Sequence, residues 1–425
     1  MSPPTPTGHD SDRRVRDLMA VLDIARRLAV TPELDPLLTA VEESARRVLG
    51  CERASVFLHE PRTDELYVRL GTDIHGVRFP ADRGIAGAAF KSGAVIVVPD
   101  AYADPRFNPA VDRETGYVTR NILTCPLVGW DGVPVGVMQA GNKTAGSFDE
   151  WDEGLCRTLA AQAGTALQRQ TLLDTWHEKQ KQDRELAIAR MIQQRQLPAE
   201  PPRVAGYELA GWSHPAEATG GDFYDFLPIP GGRVAVTVGD ATGHGVGPAL
   251  MSTACRAFAR ATLADGGGDL AAAVARVNRL LCDELDPGHF VTAFFGVLDP
   301  AANRLTYLSA GQGPVLFYRA GARSAAELPT HGPPLGIMPE MPYDAPEEVD
   351  LRPGDWLMLV TDGFYEWEGP GGERFGTERA VRVLREAGAS PPAEVIRAAY
   401  AAVTAFAAGT PQADDLTAVV VRRSV

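Results

Sequence analysis

The stretch from Arg233 to Gly245 limits the fold more than any other part of the chain. Val234, Val236 and Val238 alternate with small or polar residues, the period-2 pattern of a half-buried strand. The strand runs into Gly239-Asp240-Ala241-Thr242-Gly243-His244-Gly245, where the glycines admit backbone conformations that other residues resist. Pro248 then suits the first turn of a helix continued by Ala249, Leu250 and Met251. Strand, tight turn and helix leave the Asp240 carboxylate at a strand end. A second acid, Asp222, follows the pair Gly220-Gly221, Asp362 ends the strand-like run Trp356–Thr361, and Asp414-Asp415 precede the apolar run from Leu416 to Val421.

Each acid alone is ordinary turn chemistry, since Asp beside Gly is a common turn signal. Rigid strands, however, can hold several carboxylates close together, where each would raise its neighbours' pKa unless a cation intervened. Hard divalent ions such as Mg²⁺ and Mn²⁺ take oxygen ligands and keep several waters, so an Asp-only set points to them and away from Zn²⁺. Two such ions sharing one carboxylate can activate a water and orient a phosphate for in-line attack. No cysteine or serine is placed like an activated nucleophile.

A net charge of −14 argues against a general basic surface for nucleic acid or anionic membranes, so neither is expected as a partner. The five cysteines are scattered and never form a CxxC pair, which disfavours a disulfide framework or zinc knuckle and suggests a reducing compartment. The first residues lack the apolar core of a signal peptide, and no apolar run approaches the roughly 18 residues of a spanning helix. A cytoplasmic location is the resulting expectation.

At roughly 150 residues per domain, 425 residues suggest two or three domains. Residues 1–16 read as a disordered leader. Helical spacing follows from Leu18 to Leu28 and from Leu34 to Leu49, and the period then changes to strands at 54–58, 65–69, 94–98 and 133–137, closed by a helix from Asp149. This predicts an α+β domain over 17–172. The closing helix is expected to continue as a linker, 173–200, whose apolar seam (Leu172, Leu173, Trp176, then Ile188, Met191, Ile192, Leu197) is broken by the polar run 177–185. It reads as a signalling helix paired with its twin in a homodimer, with residues 180–185 transmitting state. From 201 to 425 strands alternate with two long helix pairs, which favours an α/β/β/α sandwich over a doubly wound parallel sheet.

Two resemblances sharpen these expectations. Arg78–Gly87, Pro99–Asn108, and Asn142-Lys143 with Phe148, Asp152 and Glu153 resemble a GAF domain of the cyclic-nucleotide phosphodiesterase and adenylyl cyclase type. The resemblance implies ligand-pocket positions at Ile85, Ala86, Asp112, Thr115 and Thr119, with a cyclic nucleotide as one candidate ligand. Asn108 and Gln139 depart from what relatives carry. The motifs Ala187–Pro198, Gly220–Asp225, Val238–Gly245, Thr292–Phe295, Thr361–Glu366 and Asp414–Thr417 together resemble the SpoIIE/RsbU branch of the metal-dependent protein phosphatases, the PPM family. That resemblance implies Asp240 as the bridging ligand of two Mn²⁺ or Mg²⁺ ions, Asp222 and the Ala241 backbone carbonyl on the first, and Asp362 and Asp414 on the second. Asp415 either supports Asp414 or substitutes for it. Asp225 and Glu366 are assigned to orienting metal waters or capping turns, and His244 to the turn. Relatives carry A-G-H-x-P where this chain has Ala310-Gly-Gln312-Gly-Pro314.

The implied activity is hydrolysis of phosphoserine or phosphothreonine on a protein, a STAS-domain anti-sigma-factor antagonist, regulated by the GAF domain. Two alternatives stand beside it: a non-catalytic ligand-sensing scaffold, and a metal-dependent phosphatase of a small phosphoester.

Overall fold

The computed structural model describes residues 8–31, 33–69, 76–264, 268–388 and 390–424. The chain forms two compact units, residues 1–180 and 181–425.

In the first unit, six antiparallel strands make one sheet in the order Arg78–Pro80, Glu65–Tyr67, Cys51–Glu60, Pro134–Lys143, Ile122–Val128, Ile96–Val98. The alternation in Cys51–Glu60 explains its two faces. Ala54, Val56 and Leu58 pack with Leu37, Val41 and Ala45 of the helix Leu34–Leu49 and with Leu155, Leu159 and Leu167 of the helix Glu150–Gln196. Phe57 points the other way, into a cluster with Ala86, Ala89 and Phe90 of the helix Gly84–Ser92.

The helix expected from Leu18 starts earlier, at Gly8, inside the stretch expected to be a leader; Met1–Thr7 lie outside the described residues. Its early turns are polar, so helical periodicity could not show them. The strand Ile122–Val128 escaped the alternation rule because it is buried on both faces.

The second unit contains two five-stranded antiparallel sheets. One runs Glu347–Asp350, Arg304–Ala310, Val291–Asp299, Arg233–Ala241, Asp222–Ile229; the other runs Ser324–Leu328, Val315–Arg319, Trp356–Val360, Leu416–Arg423, Tyr207–His214. Their inner faces meet through Val236, Val238, Phe294, Tyr307, Phe317, Leu357, Leu359 and Val419. Alternate residues turn outward. Ala235 and Phe295 meet the helices Val246–Leu263 and Leu270–Glu284, while Trp356, Met358 and Val360 meet the helices Thr377–Ala387 and Pro392–Ala407. The α/β/β/α sandwich is therefore the observed architecture. The sequence pattern missed two of the four edge strands, Ser324–Leu328 and Glu347–Asp350, which are mostly exposed and carry no apolar alternation.

Candidate metal centre

Sheet register brings the first two acids together. Asp222 is the first residue of its strand and stands directly opposite Asp240 on the neighbouring strand, so the two carboxylates share one face. Like charges at directly paired positions oppose strand pairing, and local packing of the sheet gives no reason to place them there. The other sheet supplies the remaining acids. Asp362 follows the strand Trp356–Val360 and precedes the short helix Gly363–Glu366, while Asp414 and Asp415 sit just before Leu416–Arg423, the neighbouring strand.

Thr361 joins the two sets. Its hydroxyl donates to Asp222 Oδ2 (2.7 Å) and accepts from the Thr417 backbone N–H (2.9 Å), and its own N–H donates to the Thr417 carbonyl (3.0 Å). Asp222 and Thr361 are buried. Both threonines lie within the T-D-G and D-D-L-T motifs, yet nothing in their spacing announced that they would hold an acid of the other sheet.

The glycine pair before Asp222 has a steric reason. A Cβ on Gly220 would run into the Asp415 carboxylate, and one on Gly221 would lie 2.6 Å from the Ala241 carbonyl oxygen. Small residues thus let the loop approach both groups. Asp415 is buried beneath it, its Oδ1 accepting from the Ala216 N–H (2.8 Å) and its Oδ2 from the Asp222 N–H (3.4 Å). Both of its oxygens are thus engaged with the loop that carries Asp222. Asp414 is exposed and accepts from the Asp415 N–H at 2.8 Å.

The electrostatics identify Asp240 as the centre of the cluster. Burial and then the charges of Asp362, Asp414 and Asp415 push it up to about 8. Asp362 is pushed up to about 6 by burial, Asp414 and Glu366, and Asp222 is raised well above the carboxylate range by burial, Asp240 and Asp415. Carboxylates that raise one another in this way hold protons that a divalent cation can displace.

Among the described residues, no three acidic, histidine or cysteine side chains are gathered closely enough to hold a metal ion as they stand. The donor set nevertheless suits ions that keep most of their waters and take one or two carboxylates each, because it is all oxygen, mutually repelling and distributed over two sheets. Asp222, Asp240, Asp362, Asp414 and the Ala241 carbonyl are the residues that would hold them.

Three other acidic or titratable positions lie elsewhere or do other work. Asp225 does not orient waters at this centre: it is buried and ion-paired to Arg256 (3.1 Å) and Arg260 (2.7 Å) of the helix Val246–Leu263. A buried carboxylate with two guanidinium partners is an anchor for that helix. Glu366 pairs with Arg374 at 2.8 Å. His244 is 79% exposed and its Nδ1 lies 3.0 Å from Glu217 Oε1, so it stands at the rim.

One contact from outside the sheets reaches the cluster. Gln193, near the end of the helix Glu150–Gln196, accepts from the Gly220 N–H (3.1 Å) and donates to the Gly220 carbonyl (2.5 Å). The glutamine therefore grips the loop two residues before Asp222.

The first unit holds a separate cavity of about 660 Å³. Ile85, Ala86, Asp112 and Thr119 line it, together with Asn108 and Gln139; the side chain of Thr115 lies outside the described residues. Asp112 is already occupied, accepting from the Thr119 N–H (2.7 Å), the Thr119 hydroxyl (2.8 Å) and the Tyr102 hydroxyl (3.0 Å). Arg53, Arg78, Arg83 and Arg106 also reach the lining, which spacing alone did not reveal.

Comparisons with known proteins agree with this division. The family Stage II sporulation protein E (SpoIIE) matches residues 230–424, and the GAF domain matches residues 33–167. Protein IcfG of Synechocystis is 29% identical over 266 residues, covering 56% of this chain and 42% of its own length, so the chain spans less than half of that relative. Phosphoserine phosphatase RsbU of Bacillus subtilis is 26% identical over 243 residues, 57% of this chain and 70% of RsbU. The SiaA-PP2C domain of Pseudomonas aeruginosa superposes with a TM-score of 0.51 at 26% identity, covering 58% of this chain and 98% of that domain. The paired sheets with their acidic edge thus match a SpoIIE-type domain, and the cavity-bearing unit before them matches a GAF domain.

Proposed function

We propose that the chain is a divalent-metal-dependent phosphatase of phosphoserine or phosphothreonine on a protein, with a STAS-domain anti-sigma-factor antagonist as the substrate class. The observation that carries the reading is the convergence of Asp222, Asp240, Asp362 and Asp414 from two sheets into one partly buried, mutually repelling cluster. A pair of Mn²⁺ or Mg²⁺ ions, when bound, would supply an activated water and neutralise charge on the phosphate. The chain's own contribution is placement. Sheet register fixes Asp222 against Asp240, Thr361 holds Asp222 from the second sheet, and Asp415 holds the loop that carries Asp222.

Regulation belongs to the same reading. The helix Glu150–Gln196 begins in the GAF unit and carries Gln193, whose hydrogen bonds to Gly220 offer a route from that helix to Asp222. The contact lies beyond residues 180–185, which the sequence had marked for transmission. Exposed Leu172, Leu173, Trp176, Ile188, Met191 and Ile192 supply apolar surface for pairing with a second copy, and the GAF cavity offers a place for a small ligand, a cyclic nucleotide among the candidates. No helix among the described residues is long and apolar enough to cross a membrane.

The deciding experiment measures Mn²⁺-dependent phosphate release from a phosphorylated STAS-domain protein by wild type and by Asp240→Asn. Release by wild type alone supports the proposal. Absent or equal release from both removes it, and release from small phosphoesters in preference to the phosphoprotein reassigns the substrate.

A further inference from the structure

Gln312 stands at the position where the sequence departs from its relatives, and the structure gives it a place between the two sheets. It follows the strand Arg304–Ala310. Gly311 bridges to Ala293 of the first sheet, and the Tyr365 hydroxyl, three residues beyond Asp362, donates to the Gly313 carbonyl at 3.0 Å. The Gln312 side chain, in a residue only 3% exposed, reaches both sides. Its Oε1 accepts from the Thr292 hydroxyl (2.9 Å) and its Nε2 donates to the Val360 carbonyl (2.9 Å). Its own carbonyl accepts from the Ser309 hydroxyl.

Both ends of this crossbar abut the acidic cluster. Thr292 is the cross-strand partner of Asp240, and its hydroxyl also lies 3.5 Å from the Asp240 carbonyl oxygen. Val360 is the last residue of its strand, immediately before Thr361, which binds Asp222, and Asp362. An amide offers a donor at one end and an acceptor at the other, so Gln312 satisfies both partners in a single orientation. Leaving either partner unpaired in this buried position is costly, so the amide ties the strand paired with that of Asp240, through Thr292, to the strand end that precedes Asp362.

We propose that Gln312 is a positioning residue that sets the spacing of Asp240 and Asp362 and so the affinity for the divalent ion between them. The proposal rests on the two-metal reading above. A neutral imidazole also offers one donor and one acceptor, which makes Gln312→His the natural rescue.

The test is Mn²⁺ binding to the full chain by calorimetry, with folding checked by circular dichroism, for wild type, Gln312→Leu, Gln312→His and Thr292→Val. Groups that orient metal ligands typically change affinity by about 10- to 100-fold, so Gln312→Leu is expected to weaken Mn²⁺ binding about tenfold, Thr292→Val about threefold, and Gln312→His no more than about twofold. A purely structural role would lower the melting temperature and leave the Mn²⁺ affinity of the folded protein unchanged, and that result overturns the proposal. If Gln312→Leu does not fold, Thr292→Val decides, because it removes one hydroxyl at nearly constant volume. Wild type that binds no Mn²⁺ overturns the two-metal reading and this proposal together; wild type that binds, with both variants unchanged, overturns this proposal alone.

Discussion

The two units differ in one group of acids. In the GAF unit, Asp152 is held by Lys143 Nζ at 2.6 Å, and Asp112 accepts three hydrogen bonds. In the phosphatase-type unit, Asp355 and Asp225 are equally well partnered, by Arg319 and by Arg256 with Arg260. Among the described residues, only Asp222, Asp240, Asp362 and Asp414, with Asp415 beneath them, are gathered so that burial and neighbouring acids raise them. Partnered acids explain themselves by stability. A repelling cluster that the fold goes to some length to assemble calls for a cation, which is why the site can be recognised by what it fails to neutralise.

The largest expected effect breaks that contrast at its centre. Asp240→Asn should lower Mn²⁺-dependent phosphate release on the order of 10³-fold, since metal-held charge stabilisation is worth several kcal/mol. Without metal and at about pH 9, where Asp240 is ionised, the same variant should melt at a higher temperature than wild type, because one repelling charge has gone. A fall in melting temperature would show that Asp240 serves packing, and would close the difference between the two kinds of acid.

Conversely, the partnered acids should cost stability and spare chemistry. Lys143 also donates to the Leu49 carbonyl (2.8 Å), so removing Asp152 leaves a buried ammonium with one partner. Asp152→Ala should destabilise the GAF unit by about 3–5 kcal/mol, the usual cost of orphaning one member of a buried pair. Amide exchange in the strand Cys51–Glu60 measures it, and phosphate release per folded molecule in the absence of ligand should stay within about threefold of wild type. Exchange left unchanged would mean that the pair contributes nothing to this unit.

Much of this contrast was legible beforehand, for reasons that differ by residue. Val234, Val236 and Val238 announced a strand because the residues between them, Ala235, Thr237 and Gly239, are small or polar although both faces are buried, and the glycines around Asp222 and Asp240 announced turns, so the acids' places at strand ends followed. Which sheet neighbours which depends on long-range pairing, so the Asp222–Asp240 register was invisible, as was the part Thr361 plays. Asp225 shows the limit plainly: it shares a motif with Asp222, yet the period-2 geometry of one strand and the arginines Arg256 and Arg260 on a distant helix give it a different task.

Thr361→Val sharpens the comparison between placement and charge, with a smaller effect. It removes the donor to Asp222 Oδ2 and the acceptor for the Thr417 N–H while keeping the side chain's shape. The loss of two buried hydrogen bonds should destabilise the unit by about 1–3 kcal/mol and weaken Mn²⁺ binding about tenfold. Calorimetry on the folded variant separates the two consequences. Unchanged affinity would mean that Asp222 keeps its position without the second sheet.

The smallest effect concerns Glu42, an acid of the GAF unit that burial raises as it raises the cluster. Glu42 is half-buried, accepts only from the Val56 N–H (3.2 Å) among the described residues, and is pushed by burial from 4.5 up to about 7. Its folded pKa is raised, so between about 4.5 and about 7 the folded chain holds a proton that the unfolded chain has released, and stability falls as pH rises through that window before levelling off. Glu42→Gln cannot titrate and should lose this slope. At about pH 4 and below the variant and wild type should have nearly equal stability; at pH 8 the variant should be more stable by about 1–2 kcal/mol once partial solvent screening is allowed for. Amide exchange in the strand Cys51–Glu60, which contains Val56, measures the difference at the two pH values. A pH slope that survives in Glu42→Gln would place the titration on another group, and would make the acidic cluster around Asp240 the only set of carboxylates in the described chain held at odds with its surroundings for a reason other than stability.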